Sequence, residues 1–492
     1  MELAADLRRA LAGLCAIGPP EVRENGEKLC GLAALQYEVS AQGDAALLHL
    51  WSAQQSLVRR VLRVAEKSDD RVVLEVSRFG FSRNAQLELL AVAAPREPHR
   101  IEREQFSARL RRILTDHFPD EVVESLANSA DLHHSISGSY TRGLMRRGSE
   151  VHAVLGASPN EDPATIDGIL TFGLIWLQQA RDRARKYSVY GLRLFVPKGT
   201  SFTTAHRMAA LASPDEVELY EYDPRFWSIR RVARSDAGNL ASWIVPRREI
   251  EQAIAAAMPV GEQIRKLAPD AIRLSVVAGS QDVTLRFRGT EFARWRAGEM
   301  RYGLGDRQTV LTPQKWASLE ALVRQLETHR HPLAPDTKHR LYRGQRERWL
   351  ETMVAADPGR IDARLDPRHI YPQVPAFSSS ERGIIDLLAA TRDGRLAVIE
   401  LKASEDIHLV MQAVDYWLRV RFHHEQDDFR RFGYFPEVPL NNKPPLLYLV
   451  APGFRFHSSI DIVLRYLSPE IEVFRVALAE NWRKGLHVVF RQ

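Results

Sequence analysis

The sequence predicts a mixed α/β (α+β) protein made of several layers. Three observations carry that expectation. Period-2 apolar runs, which mark half-buried strands, recur along the chain. They alternate with amphipathic helical stretches, and the C-terminal third reads as helix, strand meander, helix, strand, helix, strand.

The chain has 492 residues, 45% apolar and 26% charged, enough for roughly three cores at about 100–200 residues per domain. That composition excludes a fibrous or largely disordered chain. The net charge of +6 is a mild basic bias, compatible with a polyanionic partner. With 10 lysines against 58 arginines, a lysine at a special position carries more weight than usual. Cys15 and Cys30 are too few for a disulfide framework and no Cys/His cluster has zinc spacing, so a reducing cytoplasm is expected. The longest apolar stretch, 168–177, is far too short to span a bilayer, and no targeting signal or membrane association is expected.

In chain order, residues 1–104 form a mixed N-terminal module: a short amphipathic helix, period-2 runs at 33–39 and 45–51 across a turn at Gln42-Gly43, a helix around 53–67, and a strand around 71–76. Arg59, Arg60 and Arg63 would lie on the solvated side of that helix. Residues 105–223 alternate strand and helix: 150–155, an apolar helix 164–185, a strand 191–196, a helix 203–211 and a strand 216–222, which implies a partly parallel sheet. Residues 224–335 form a mixed connecting module with a helix near 248–257, a strand at 283–287 and a helix over 313–328, closed by His331-Pro332 and Pro335. In that strand Leu285 and Phe287 alternate with Arg286 and Arg288, giving a half-buried strand or a basic stripe.

Residues 336–492 make a complete α/β unit. A helix at 338–355 precedes a strand at 370–374 and a hairpin with arms 383–390 and 396–403 around Asp393-Gly394, the turn pair that favours a tight hairpin. A helix at 410–420, a strand at 446–450, a helix at 459–467 and a strand at 472–477 follow.

The second arm ends Ile399-Glu400-Leu401-Lys402, two charges on one face of an apolar strand, and the first arm embeds Asp386 in Ile384-Ile385-Asp386-Leu387-Leu388. Burying such groups is costly unless they pair or hold an ion. Asp386 and Glu400, with the Leu401 carbonyl as third oxygen, would suit Mg²⁺ or Mn²⁺, leaving Lys402 to orient water or neutralise a developing anion. A purely structural ion network is the other reading of the same three side chains.

Asp386, thirteen residues, then Glu400-Leu401-Lys402 resembles the D…(D/E)-x-K signature of the PD-(D/E)XK nuclease superfamily. Gln412 and Tyr416 match its Q-x-x-x-Y helix. Glu347-Arg348-Trp349-Leu350-Glu351 and Gly383-Ile384-Ile385-Asp386-Leu387-Leu388 resemble the E-x-x-L-E helix and G-R-I-D-L-L strand of the NucS-like mismatch-endonuclease branch, with Ile384 at the Arg position. The resemblance covers about a third of the chain. It implies a restriction-endonuclease-like core in which Asp386 and Glu400 bind metal, Lys402 assists the water, Glu347 holds a metal-bound water, and Gln412 and Tyr416 position the hairpin or DNA. Glu347 and Glu351 paired with Arg343 or Arg348 on a helix surface, and Gln412 and Tyr416 as plain packing, stay open as alternatives.

The segment 105–223 reads either as a degenerate copy of that unit or as an unrelated layer of the same general α/β pattern. Laying Ala157-Ser158 on Ala403-Ser404 puts Val154 at Glu400 and Gly156 at Lys402, and laying 142–146 on 382–386 puts Arg146 at Asp386. A cation there could still hold a phosphate backbone. The run from His423 to Asp428 reads as a solvated loop, and His133-His134, His329 and His331 as surface residues.

The expected function is therefore a Mg²⁺- or Mn²⁺-dependent endonuclease hydrolysing DNA by a metal-activated water. Cutting both strands can take two active units, which leaves a homodimer open. Alternatives are an RNA-cutting effector of a defence system and a non-catalytic nucleic-acid-binding protein.

Overall fold

Alternating burial along the strands builds four sheets, and helices cover their apolar faces. The computed structural model describes residues 2–17, 20–24, 27–30, 36–42, 45–51, 56–68, 71–77, 84–91, 100–129, 136, 138–185, 187–233, 243–277, 280–305, 307–377 and 382–492. They form a mixed α/β protein of two units: Met1–Gly238 with Asp406–Met411 and His457–Ser468, and Asn239–Glu405 with Gln412–Phe456 and Pro469–Gln492.

In the first unit the helix Glu2–Ile17 turns Leu7, Leu11 and Leu14, spaced at three and four residues, onto a seven-stranded antiparallel sheet. The sheet runs in the order Glu27–Cys30, Pro20–Glu24, Asn84–Ala91, Arg71–Ser77, Ser56–Lys67, Ala45–Trp51, Gln36–Gln42. The helix expected over 53–67 is instead the strand Ser56–Lys67. Bulges between Val61 and Arg63 and between Val64 and Glu66 break its alternation, which makes a strand pattern resemble a helical one. Its β-branched Val58, Val61 and Val64 suit the extended backbone. Arg59 is accordingly buried rather than solvated, and its Nε donates to Glu24 Oε1 at 2.7 Å.

The unit's second sheet has six strands. After the helix Arg100–His117 come an antiparallel meander, Val122–Ala127, Tyr140–Arg147 and Glu150–Ala157, and the helices Pro163–Asp167 and Ile169–Arg183. Ser188–Pro197 then adds in parallel, as does Val217–Tyr222 after the helix Phe202–Met208, and Ile229–Arg231 closes the edge antiparallel. The helix expected over 164–185 breaks at Gly168, where a Cβ would lie 2.7 Å from His408 and 3.0 Å from the Tyr140 hydroxyl.

The second unit holds a five-stranded antiparallel sheet in sequence order, Ile272–Val276, Val283–Phe287, Thr290–Arg296, Glu299–Leu304 and Arg307–Val310. Its inner face packs Leu285, Phe287, Phe292 and Met300 against Leu319, Val323 and Leu326 of the helix Trp316–His329. Arg286 and Arg288 form no stripe. Arg288 leaves the strand at φ 42, followed by Gly289 at φ 84, and donates to the Arg330 carbonyl at 2.6 Å.

The last sheet runs Trp243–Ile244, Leu365–Phe377, Arg382–Thr391, Leu396–Leu401, Leu446–Pro452, Val473–Leu478, Val488–Arg491. Leu396–Leu401, Leu446–Pro452 and Val473–Leu478 are parallel, linked through the helices Leu409–Glu425 and Ile460–Leu464, and the remaining pairs are antiparallel. The helix expected over 338–355 is two, Arg340–Arg343 and Arg346–Ala356, parted by Gln345 at φ 50. Buried Arg330 sets that break by donating to the carbonyls of Leu341, Gly344 and Gln345 at 2.7, 2.6 and 3.0 Å. Helix, meander, helix, parallel strand, helix, parallel strand and antiparallel edge is the order in this sheet and in the six-stranded one. Among the described residues no helix is long and apolar enough to cross a membrane.

Candidate active site

Strand pairing ends where the charges begin. Arg382–Thr391 and Leu396–Leu401 pair from Ala390↔Leu396 to Leu387↔Ile399. One step further, where Asp386 and Glu400 would face each other, the ladder stops and Asp386 Oδ2 accepts the Leu401 amide hydrogen at 3.1 Å. Residues two apart share a strand face, so Lys402 follows Glu400, with Nζ 3.7 Å from Glu400 Oε1. Glu400 is 1% exposed, whereas the Asp386 side chain keeps 21%, so the group is deep but reachable.

The helix Arg346–Ala356 lines the site. Arg348 Nη1 lies 2.7 Å from Glu351 Oε2 and 3.8 Å from Asp386 Oδ1. Gln373 Nε2 donates to the same Glu351 oxygen at 2.7 Å. Gln373 stands between the pairs Pro372↔Leu387 and Val374↔Ile385, across from Asp386, and its φ of 55 interrupts the strand's alternation. Glu347 is exposed on the helix's first turn and accepts from Ser404 Oγ at 3.4 Å. Gln412 Nε2 donates to the Tyr416 hydroxyl one turn on, at 3.3 Å.

Burial raises the Asp386 carboxyl above its ordinary range, opposed by Lys402, Arg348 and the Leu401 amide and reinforced by Glu347. Burial likewise pushes Glu351 up to about 7 against the pull of Arg348, with Asp386 adding to the rise. The Tyr416 phenol is pushed up by burial and then by the charge of Glu400. Perturbed titratable groups gathered at one place are common at functional sites and in structural ion networks alike.

Of the residues singled out from sequence, Asp386, Glu400, Leu401 and Lys402 are brought together, and Tyr416 with Gln412 stands within their field. Glu347 is at the rim. Leu401 offers its amide to Asp386, in addition to any role of the carbonyl assigned to it from sequence. Arg348, Glu351 and Gln373 join the site without having been chosen. The i, i+3 spacing of Arg348 and Glu351 was visible, but their burial was not, and Gln373 had no local signal.

Two carboxylates and a backbone carbonyl are hard oxygen donors of the kind Mg²⁺ takes together with water and phosphate, so the donor chemistry fits that ion. Among the described residues no group of three or more His, Cys, Asp and Glu side chains is gathered for a metal. The run from His423 to Asp428 is no solvated loop: His423 is buried at the end of its helix, Nδ1 2.7 Å from Asp428 Oδ2, and His424 Nε2 lies 2.8 Å from the Asn441 carbonyl. His329 is half-buried, its ring stacked on His339 at 3.7 Å, while His133 and His134 lie outside the described residues.

In the six-stranded sheet, Val154 pairs with Gly143. With Val154 laid on Glu400, hairpin register therefore puts Gly143, not Arg146, at the place of Asp386. Arg146 is further along the strand, ion-paired with Glu124. A Cβ on Gly156, the position laid on Lys402, would lie 2.7 Å from Leu110 and 3.3 Å from Phe106, so apolar side chains occupy that space.

No protein-family model matches the chain, and no curated protein matches it.

Proposed function

We propose that residues 336–492 are a divalent-metal-dependent endodeoxyribonuclease domain of the PD-(D/E)XK type. The observation that carries this reading is the meeting of Asp386, Glu400 and Lys402 where two strands part, with Asp386 latched by the Leu401 amide. The element order of the last sheet supports a restriction-endonuclease-like core, and its recurrence in the six-stranded sheet supports an inactivated copy there.

Asp386 and Glu400, with the Leu401 carbonyl, would hold Mg²⁺ or Mn²⁺, which supplies a water of lowered pKa and charge neutralisation at the phosphate. Lys402 keeps an ammonium beside Glu400, placed to orient the attacking water and to offset charge on the phosphate oxygens. Arg348 ties Glu351 to Asp386 and so fixes the helix against the acid strand. Gln412 donates to the Tyr416 hydroxyl, which feels the charges of Glu400 and Asp386.

The test is a panel of end-labelled DNA and RNA substrates incubated with Mg²⁺, Mn²⁺ or EDTA, wild type beside Lys402→Ala. DNA cutting that needs metal and is lost in Lys402→Ala supports the proposal. RNA cutting alone would move it to the RNA-directed reading, and metal-independent binding without any cutting would leave a nucleic-acid-binding protein.

A further inference from the structure

We infer that the outer face of the five-stranded sheet is a groove that grips a DNA strand by its phosphates and leads it to the helix carrying Arg348 and Glu351. The inference rests on the nuclease reading above and adds where its substrate lies.

Between Thr290–Arg296, Glu299–Leu304 and the chain around Arg340–Gln345 lies an open cleft of about 1260 Å³. That exceeds the roughly 300–1,000 Å³ of small-molecule sites, so a longer occupant fits it better. Four arginines, Arg294, Arg296, Arg301 and Arg340, line it against two carboxylates, Glu291 and Glu299. Arg294 and Arg301 stand directly opposite each other on neighbouring strands, an arrangement that repels and destabilises a sheet unless something else holds it.

Local acids hold the arginines only in part. Glu291 lies 2.8 Å and Asp282 3.5 Å from Arg294, and Glu299 lies 2.8 Å from Arg301. Arg296 is 73% exposed, with Asp282 at 3.8 Å, and Arg340 has no ion pair among the described residues. Guanidinium forks match phosphate oxygens in shape and charge, which makes a sugar-phosphate backbone the occupant that balances this surface.

The groove also adjoins the chemistry. Gln345 lines it and directly precedes the Arg346–Ala356 helix. The turn that starts the Thr290–Arg296 strand presses on that helix: a Cβ on Gly289 would lie 2.4 Å from the Arg348 backbone. Arg286, on the next strand, feels the charges of Arg348, Glu351, Glu291 and Arg294.

The experiment measures binding of the full chain to a fluorescein-labelled DNA duplex in EDTA across a salt series, for wild type, for the triple variant R296A/R301A/R340A and for Glu299→Gln. The triple variant should bind at least about tenfold more weakly, with a salt slope shallower by about 0.9 for each phosphate that is no longer neutralised. Glu299→Gln, which removes a competing carboxylate, should bind more tightly. Wild-type binding that both variants leave unchanged, in affinity and slope, overturns the groove while the nuclease reading stands. If the triple variant does not fold, unchanged binding by Glu299→Gln overturns it alone. Wild type that neither binds nor cuts DNA removes both.

Discussion

Asp386 Oδ2 accepts the Leu401 amide hydrogen at 3.1 Å, at the point where the two strands that bear them stop pairing. The bond fixes one carboxylate oxygen and leaves Oδ1 toward the opening, 3.8 Å from Arg348. Asp386→Asn keeps an acceptor for that amide and removes the charge. Metal-dependent cutting should fall at least about 100-fold, while the thermal midpoint holds or rises, because burial already disfavours the charged form. Cutting rates and melting curves of the two proteins check this, and undiminished cutting by Asp386→Asn would refute the site.

Glu351 gives a stability test. Its pKa is raised from 4.5 to about 7, chiefly by burial. A raised folded-state value means that the favourable contribution is complete below the unfolded value and disappears as pH climbs through the folded one. The protein should therefore lose stability between about pH 4.5 and 7, by at most on the order of 3 kcal/mol. Glu351→Gln, which can still accept from Arg348 and Gln373, should flatten that dependence. Urea unfolding of both proteins at pH 5 and pH 8 decides it, and parallel pH profiles would show that Glu351 ionises as it does in water.

The turn at Gly289 positions the Arg346–Ala356 helix. Gly289 has φ 84, and a Cβ there would lie 2.4 Å from the Arg348 carbonyl and 2.7 Å from the Trp349 nitrogen. Gly298 has φ 86 with nothing within 4 Å, so alanine there meets backbone strain alone. Gly298→Ala should lose about 1 kcal/mol of stability and keep its activity. Gly289→Ala should lose more, and its cutting rate should fall about 100-fold, as an ångström-scale misplacement near a reacting group does. Equal activity in the two variants would detach the turn from the site.

The hairpin around Asp393-Gly394 was legible because Gly394, at φ 83, does what that pair does in many hairpins, and period-2 alternation then put Glu400 and Lys402 on one face. The strand Ser56–Lys67 was illegible because its two bulges erase the alternation that identifies a strand. Thr290–Arg296 and Glu299–Leu304 were missed for a different reason: their outer faces carry Arg294, Arg296 and Arg301, which thin the apolar pattern. Gln373 reaches Glu351 only through a left-handed residue inside a strand, a conformation no local pattern announces.

The six-stranded sheet yields the last expectation. With Val154 laid on Glu400, its hairpin partner Gly143 falls at the place of Asp386, and Leu110 and Phe106 crowd the space beside Gly156. These positions offer neither a carboxylate nor an ammonium, so on the nuclease reading proposed above this sheet adds no second hydrolytic centre. On supercoiled plasmid a chain acting as a monomer should accumulate nicked circles before linear product, whereas a homodimer would cut both strands together. In either case Asp386→Asn should leave no residual metal-dependent nicking of either strand. Strand-specific labels on one duplex make the distinction sharp. Persistent cutting of one labelled strand by Asp386→Asn would mean a second centre and would overturn this expectation.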